Sequence, residues 1–279
     1  MLVKVLACTS PLSLQTHPTR QQAERGFARE NAAGIALTDP KRVYKDPSDK
    51  PELLIALTEF EALCGFDTIE ASIDRLQQIG WREEADVLDQ NGIDGYLLWA
   101  FDQRTTPSMN SVPGWMSRLS DAYPTDRALR VAPLLHHIVL QPGQAISLPA
   151  GNLHAYLHGA GIEVMASSDN VVRAGFTSKH VDVGELLRIV DTSPLESPIS
   201  PTFVNNHWTE YASPSPAFSV ASTTWENLHT VEASSAHRFF FGPLGDDARP
   251  DMTWLPAGES HNFKTVPGTH NVAWMFTQN

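Results

Sequence analysis

Two cysteines in 279 residues, Cys8 and Cys64, are too few for a disulfide framework. That excludes the small cross-linked secreted scaffolds and leaves a reducing, cytosolic compartment as the default. Basic residues are scarce too. Lys and Arg total 20 against 32 acids, a formal charge of −12, and a polyanion needs a basic stripe that this chain does not supply, so no nucleic-acid role is expected. No apolar run approaches the roughly 18 residues of a membrane helix, so no membrane association is expected. Val5-Leu-Ala-Cys8 has the outline of a lipoprotein cleavage box, but Lys4 breaks the run, and a secretory core needs about 7 to 15 apolar residues. Val3 to Ala7 reads instead as a buried strand with period-two packing.

The length suits two domains, one of them carrying an insertion. Residues 1 to 17 read as two strand pieces joined by a turn at Ser10-Pro11, and the polar stretch 19 to 50, punctuated by Gly26, Gly34, Asp39-Pro40 and Asp46-Pro47, as a long functional loop. Helical spacing of Ile69, Ile73, Leu76, Ile79 and Trp81 predicts one helix over Ile69 to Asp89, closed by Gly92 and Gly95, with a second over Gly114 to Tyr123. From 131 to 177 short alternating segments predict antiparallel strands, and the proline-rich stretch from Ser193 to Pro201 marks the start of a second β domain.

Three separate segments supply metal-ligating groups: Gln15-Thr-His17, Lys50-Pro-Glu52 and Pro149-Ala-Gly-Asn-Leu-His154-Ala-Tyr156. Gln15 and His17 sit two apart, so on a strand they leave one face, and Glu52 and His154 could converge from neighbouring strands. Two imidazoles, a carboxylate and an amide oxygen suit zinc with a position open for water or substrate. Gly143 followed by Pro149-x-Gly151-x-x-His154 also matches the second metal motif of cupins, against the competing reading of a satisfied core histidine. Pro256-Ala-Gly-Glu-Ser-His261 repeats the same outline, though His261 lacks companion ligands.

With those motifs, Lys45-Asp-Pro and Ser168-Asp-Asn-Val-Val-Arg173-Ala-Gly-Phe-Thr, the chain resembles the type I mannose-6-phosphate isomerase family, over residues 2 to about 190 and more weakly beyond. The resemblance implies a mainly β protein of two cupin-like jelly-roll domains with a small α-helical insertion. The metal-binding domain would be 1–65 with 131–192, the insertion 66–130 and the C-terminal domain 193–279. It implies a monomeric cytoplasmic isomerase on the route to GDP-mannose, with one Zn2+ per chain, interconverting mannose 6-phosphate and fructose 6-phosphate through an enediol. Carried over by motif, the zinc ligands are Gln15, His17, Glu52 and His154. The catalytic residues are Arg173, Lys50 and Asp169, and the substrate contacts Tyr156, Glu163 and Lys45. The alternatives are a catalytically impaired or non-catalytic zinc-containing cupin that binds sugar phosphates and, further off, an iron-dependent cupin oxygenase.

Two departures accompany the resemblance. Asp49 stands where the family usually has His, which removes an imidazole from beside Lys50. The family also carries a further N-terminal segment, with strands of the first barrel, ahead of the position matching Leu2, and from its absence an incomplete barrel with exposed sheet edges is expected.

Overall fold

A computed structural model describes residues 1–224, 227–228, 230–244, 250–263 and 272–279. The chain is mainly β and divides into two compact units, Leu2–Pro198 and Ile199–Asn279.

The first unit begins β1 (Leu2–Cys8), β2 (Leu14–Thr16), α1 (Arg20–Ala32), β3 (Glu52–Ala56), β4 (Phe60–Phe66). The helices α2 (Ile69–Gln78), α3 (Arg82–Asp102) and α4 (Gly114–Ala122) follow, and then β5 (Leu135–Leu140), β6 (Ala145–Leu148), β7 (His154–Met165), β8 (Val172–Gly175) and α5 (Val183–Ile189). Its organising element is β7. The first part of β7 pairs with β4 and β2, placing Cys64 and Gln15 opposite His154. Its second part runs between β1 and β3, which place Lys4 and Leu54 opposite Glu163.

Between these parts Ala62 faces Tyr156 while Glu61 faces His158, so β7 carries one extra residue. Such a bulge bends the strand and reverses the alternation beyond it. Glu163, nine residues after His154, thereby comes onto the same face as His154 and Tyr156. The bend requires glycine at 159: its φ is +112, and a Cβ there would lie 2.4 Å from the Glu59 carbonyl oxygen.

Several elements differ from the sequence expectation. The polar stretch 19 to 50 is not all loop, because α1 occupies Arg20–Ala32, started by a capping box in which Thr19 and Gln22 satisfy each other's backbone N–H. Its buried face is Ala23, Gly26 and Glu30, which leaves no apolar period to read. The single helix expected over Ile69 to Asp89 is two: α2 ends ahead of Gly80, in the left-handed region at φ +83, and α3 continues past both Gly92 and Gly95 to Asp102, kinked at Gly92. Strand β1 forms as expected but is mostly exposed, with only Cys8 buried. Residues 131 to 177 are not all strands and turns, since Ala132–Leu134 is a 3-10 turn, and α5 was not expected at all.

The helices share one core with the sheet: Leu76, Tyr96, Leu97 and Leu119 pack in the same cluster as Leu14, Leu63 and Leu153. Burying each such side chain contributes roughly 1.5–3 kcal/mol, which holds β2, β4 and β7 against the helices.

The second unit holds β9 (Thr202–Asn205), β10 (Trp208–Tyr211), β11 (Phe218–Thr224), β12 (Thr230–Val231), β13 (His237–Leu244), β14 (Pro250–Leu255), β15 (His261–Asn262) and β16 (Val272–Gln278). Six of them form an antiparallel sheet in the order β14-β13-β16-β11-β10-β9, and β12 pairs with β15. The repeated Pro-Ala-Gly outline is a repeated turn: Gly151 and Gly258 have φ +83 and +86, and a strand starts at His154 and at His261. His154 is buried, whereas His261 is exposed. Among the described residues no helix is long and apolar enough to cross a membrane.

Candidate metal centre

Three turns deliver three ligands to one point. His17 follows β2 directly. Pro51 precedes β3, where a missing N–H costs no ladder bond, and Glu52 opens the strand between Leu148 and Met165. His154 opens β7 after the Pro149–Gly151 turn, and that turn is docked on the first ligand, because Gly151 N–H donates to the His17 carbonyl at 2.7 Å.

His17 Nε2 lies 3.4 Å from Glu52 Oε1 and His154 Nε2 lies 3.6 Å from Glu52 Oε2, with all three side chains 1% exposed. Among the described residues His17 Nε2, His154 Nε2 and Glu52 Oε2 have no hydrogen-bond partner, and Glu52 Oε1 is met by Lys50 Nζ at 2.9 Å. The opposite ring nitrogens do: His17 Nδ1 is 2.7 Å from the Asn170 carbonyl oxygen and His154 Nδ1 is 3.1 Å from that of Asn152. A carbonyl only accepts, so each Nδ1 carries the proton. A ring carrying only that proton aims its Nε2 lone pair at the carboxylate. Burial holds the His154 imidazole neutral, lowering its pKa to about 4. Burial by itself would raise Glu52, but the neighbouring His17, Lys50 and His154 outweigh it and hold the carboxyl well below its usual range. Buried acceptors converging without donors are costly unless a cation lies among them. His17, Glu52 and His154 are the metal-ligating cluster among the described residues, their ligand atoms all within 4.8 Å of one another.

Glu52 and His154 also line a cavity of about 520 Å3, together with Gln15, Lys50, Tyr156, Glu163 and Arg173. Gln15 stands opposite both His154 and Arg173 in the sheet, so the three share a face. Its Oε1 accepts from Ser13 Oγ at 3.1 Å. Lys50 Nζ is ion-paired to Glu52 Oε1 at 2.9 Å. Tyr156 donates its hydroxyl to Glu163 Oε1 at 3.0 Å, and burial, then the Glu52 charge, pushes Glu163 up to about 7. Burial lowers Arg173 from its ordinary value, and among the described residues its guanidinium has no hydrogen-bond or ion-pair partner. A half-buried, unpaired cation in a cavity is a receptor for an anion. A neighbouring cavity of about 540 Å3 shares Tyr123, Thr177 and Ser178 with this one but none of the histidines.

Two expected site residues are placed elsewhere. Lys45 Nζ donates to the carbonyls of Leu37 and Asp39 at 2.7 and 3.3 Å. Asp169 is exposed and is held by its backbone N–H on the Asp46 carboxylate. Neither lines the cavity.

Residues 1–69 match the family model described as phosphomannose isomerase type I, catalytic domain. Mannose-6-phosphate isomerase of Salmonella typhimurium is 38% identical over 212 residues, 69% of this chain and 54% of the relative. Mannose-6-phosphate isomerase 1 of Arabidopsis thaliana is 29% identical over 304 aligned positions, covering 96% of the chain and 61% of that protein. The crystal structure of the Salmonella typhimurium enzyme bound to fructose 6-phosphate and zinc superposes with a TM-score of 0.79 at 28% identity, over 99% of this chain and 78% of that one.

The chain is related to the type I phosphomannose isomerases. It spans about half the length of the curated bacterial relatives it matches, and its fold is the cupin-type β fold of phosphomannose isomerase. Against that kinship, Asn170 and Asn152 are the neighbours of the metal cluster that sequence reasoning missed. Both act through backbone carbonyls, which every residue has, so only the Ser168-Asp-Asn motif around Asn170 pointed to one of them.

Proposed function

We propose that this chain is a zinc-dependent isomerase interconverting mannose 6-phosphate and fructose 6-phosphate. The observation that carries the reading is the convergence of the buried His17, Glu52 and His154 beside a cavity that Glu52, His154 and the half-buried Arg173 line. The zinc-bound and fructose 6-phosphate-bound relatives support it. His17, Glu52 and His154 would hold the ion, with the Gln15 amide oxygen as the fourth group. Bound there, zinc supplies Lewis-acid polarisation of the sugar oxygens.

The remaining work falls to side chains of the cavity wall. Exchange between aldose and ketose moves a proton between adjacent carbons and develops negative charge on oxygen. Arg173, charged at any working pH, meets that charge or grips the phosphate. Lys50, ion-paired with Glu52, would carry the proton: its neutral amine takes it from one carbon, and the ammonium so formed returns it to the neighbouring carbon. Tyr156 and Glu163 form a hydrogen-bonded pair that contacts sugar hydroxyls. Asp169 and Lys45, which do not line the cavity, enter this proposal as loop-holding residues.

We extend the proposal to a monomeric, cytoplasmic enzyme. Its metal-binding cupin domain is 1–65 with 131–192, its helical insertion 66–130 and its C-terminal domain 193–279. Turnover of mannose 6-phosphate by zinc-loaded protein, beside Glu52→Ala and a chelated sample, tests the reading. Activity lost in both controls supports it, and folded, zinc-containing protein without turnover would favour a binding-only cupin.

A further inference from the structure

Asn170 is completely buried, and its side chain uses its full hydrogen-bonding capacity on one segment. Its Oδ1 accepts from Lys45 N at 2.7 Å and Asp46 N at 3.3 Å. Its Nδ2 donates to the Asp46 and Ser48 carbonyls at 2.7 and 2.8 Å. The carboxamide therefore closes the 45–48 turn as a backbone strand would. Two residues later comes Lys50, and two further on Glu52. At the same time the Asn170 backbone carbonyl holds His17 Nδ1. One residue thus ties the histidine on one side of the cluster to the segment that delivers the carboxylate on the other.

We propose that the Asn170 side chain is a positioning group for the metal site, setting Glu52 and Lys50 against His17 through the 45–48 turn. This rests on the reading of the cluster as a metal site. The two arms are separable by chemistry, because the carbonyl that orients His17 survives any substitution of the side chain. Asp46 supports the same turn, accepting from Ser48 N, Ser168 Oγ and Asp169 N, but it is a member of the turn and makes no bond to a histidine of the cluster. Asn170 alone bonds both sides. Groups that orient metal ligands from behind contribute about 10- to 100-fold in metal affinity.

The test is zinc affinity, by competition with a chromophoric chelator, for wild type, Asn170→Ala, Asn170→Asp and Tyr96→Phe, with the visible spectrum of the cobalt-substituted proteins. Asn170→Asp keeps shape and acceptors, so the turn stays seated, but it loses both donated bonds. Tyr96→Phe removes a buried hydroxyl bond to the Arg130 carbonyl in the helical segment and serves as a control for stability alone. The expected result is zinc affinity reduced about 10- to 100-fold in both Asn170 variants, with an altered cobalt spectrum. Tyr96→Phe should bind zinc as wild type does, though it melts lower. Asn170→Asp binding zinc as tightly as wild type, with the same cobalt spectrum, overturns the proposal. Wild type taking up no zinc overturns the metal reading itself, and the first titration separates that failure from the other.

Discussion

His17 Nε2 and Glu52 Oε1 lie 3.4 Å apart, both buried, with Lys50 Nζ 2.9 Å from the same carboxylate oxygen. Both are metal-ligating atoms removed from water, and a divalent cation bound between them relieves that burial. Zinc binds this arrangement only in the folded chain, so its free energy of binding is added to stability. At free zinc 1,000-fold above its dissociation constant the gain is about 4 kcal/mol. Melting with and without zinc should therefore show a large upward shift in wild type and none in Glu52→Ala. Equal shifts in the two proteins would place the metal elsewhere.

Arg173 lines the cavity without a partner among the described residues, so its loss should leave the metal in place and remove the charge that meets the substrate. Arg173→Ala is expected to lower kcat/KM by about 10²- to 10³-fold, the scale of one lost transition-state contact, with zinc content unchanged. Arg173→Lys should recover only part of this, since an ammonium lacks the planar fork. Zinc loss in the alanine variant would show a structural role instead.

Glu163 makes the zinc-free protein sensitive to pH. Burial, then the Glu52 charge, raises its folded pKa from 4.5 to about 7. Between those values the folded chain holds a proton that the unfolded chain has released, so stability falls as pH rises through the window and levels off above it. The drop is on the order of 3 kcal/mol. Urea midpoints at pH 5 and pH 8 should differ more in wild type than in Glu163→Gln, and an identical pH dependence in the two would contradict this account.

Gly159 allows the bend in β7. A methyl group there meets the Glu59 carbonyl at 2.4 Å and sits on a backbone at φ +112, a region that costs a non-glycine residue about 1–3 kcal/mol before any clash. Gly159→Ala should lose at least about 2 kcal/mol in urea unfolding. It should also weaken the Tyr156–Glu163 pair, because that contact depends on the reversal of alternation at the bulge. A variant as stable as wild type would show that the bend has another origin.

The sequence by itself determined the elements and residues whose cause is local. Apolar patterning marked the N-terminal strand pieces, the strands within 131–177 and the α2–α3 region, but not β3 or β4, and Gln-Thr-His, Lys-Pro-Glu and Pro-x-Gly-x-x-His announced metal-ligating chemistry, because a ligand must be a particular residue type. Helix α1 escaped since its buried face is Ala23, Gly26 and Glu30: what it packs against is the Tyr44 ring, 2.3 Å from where a Gly26 Cβ would stand, and a space left for a distant ring has no periodic signal. Tertiary structure alone decided the directions of side chains whose types were already known. Glu163 reached the cavity through a bulge six residues earlier. Lys45 Nζ is taken up by the nearby Leu37 and Asp39 carbonyls, which no residue name discloses, and Asp169 is held through its backbone N–H by the distant Asp46 carboxylate.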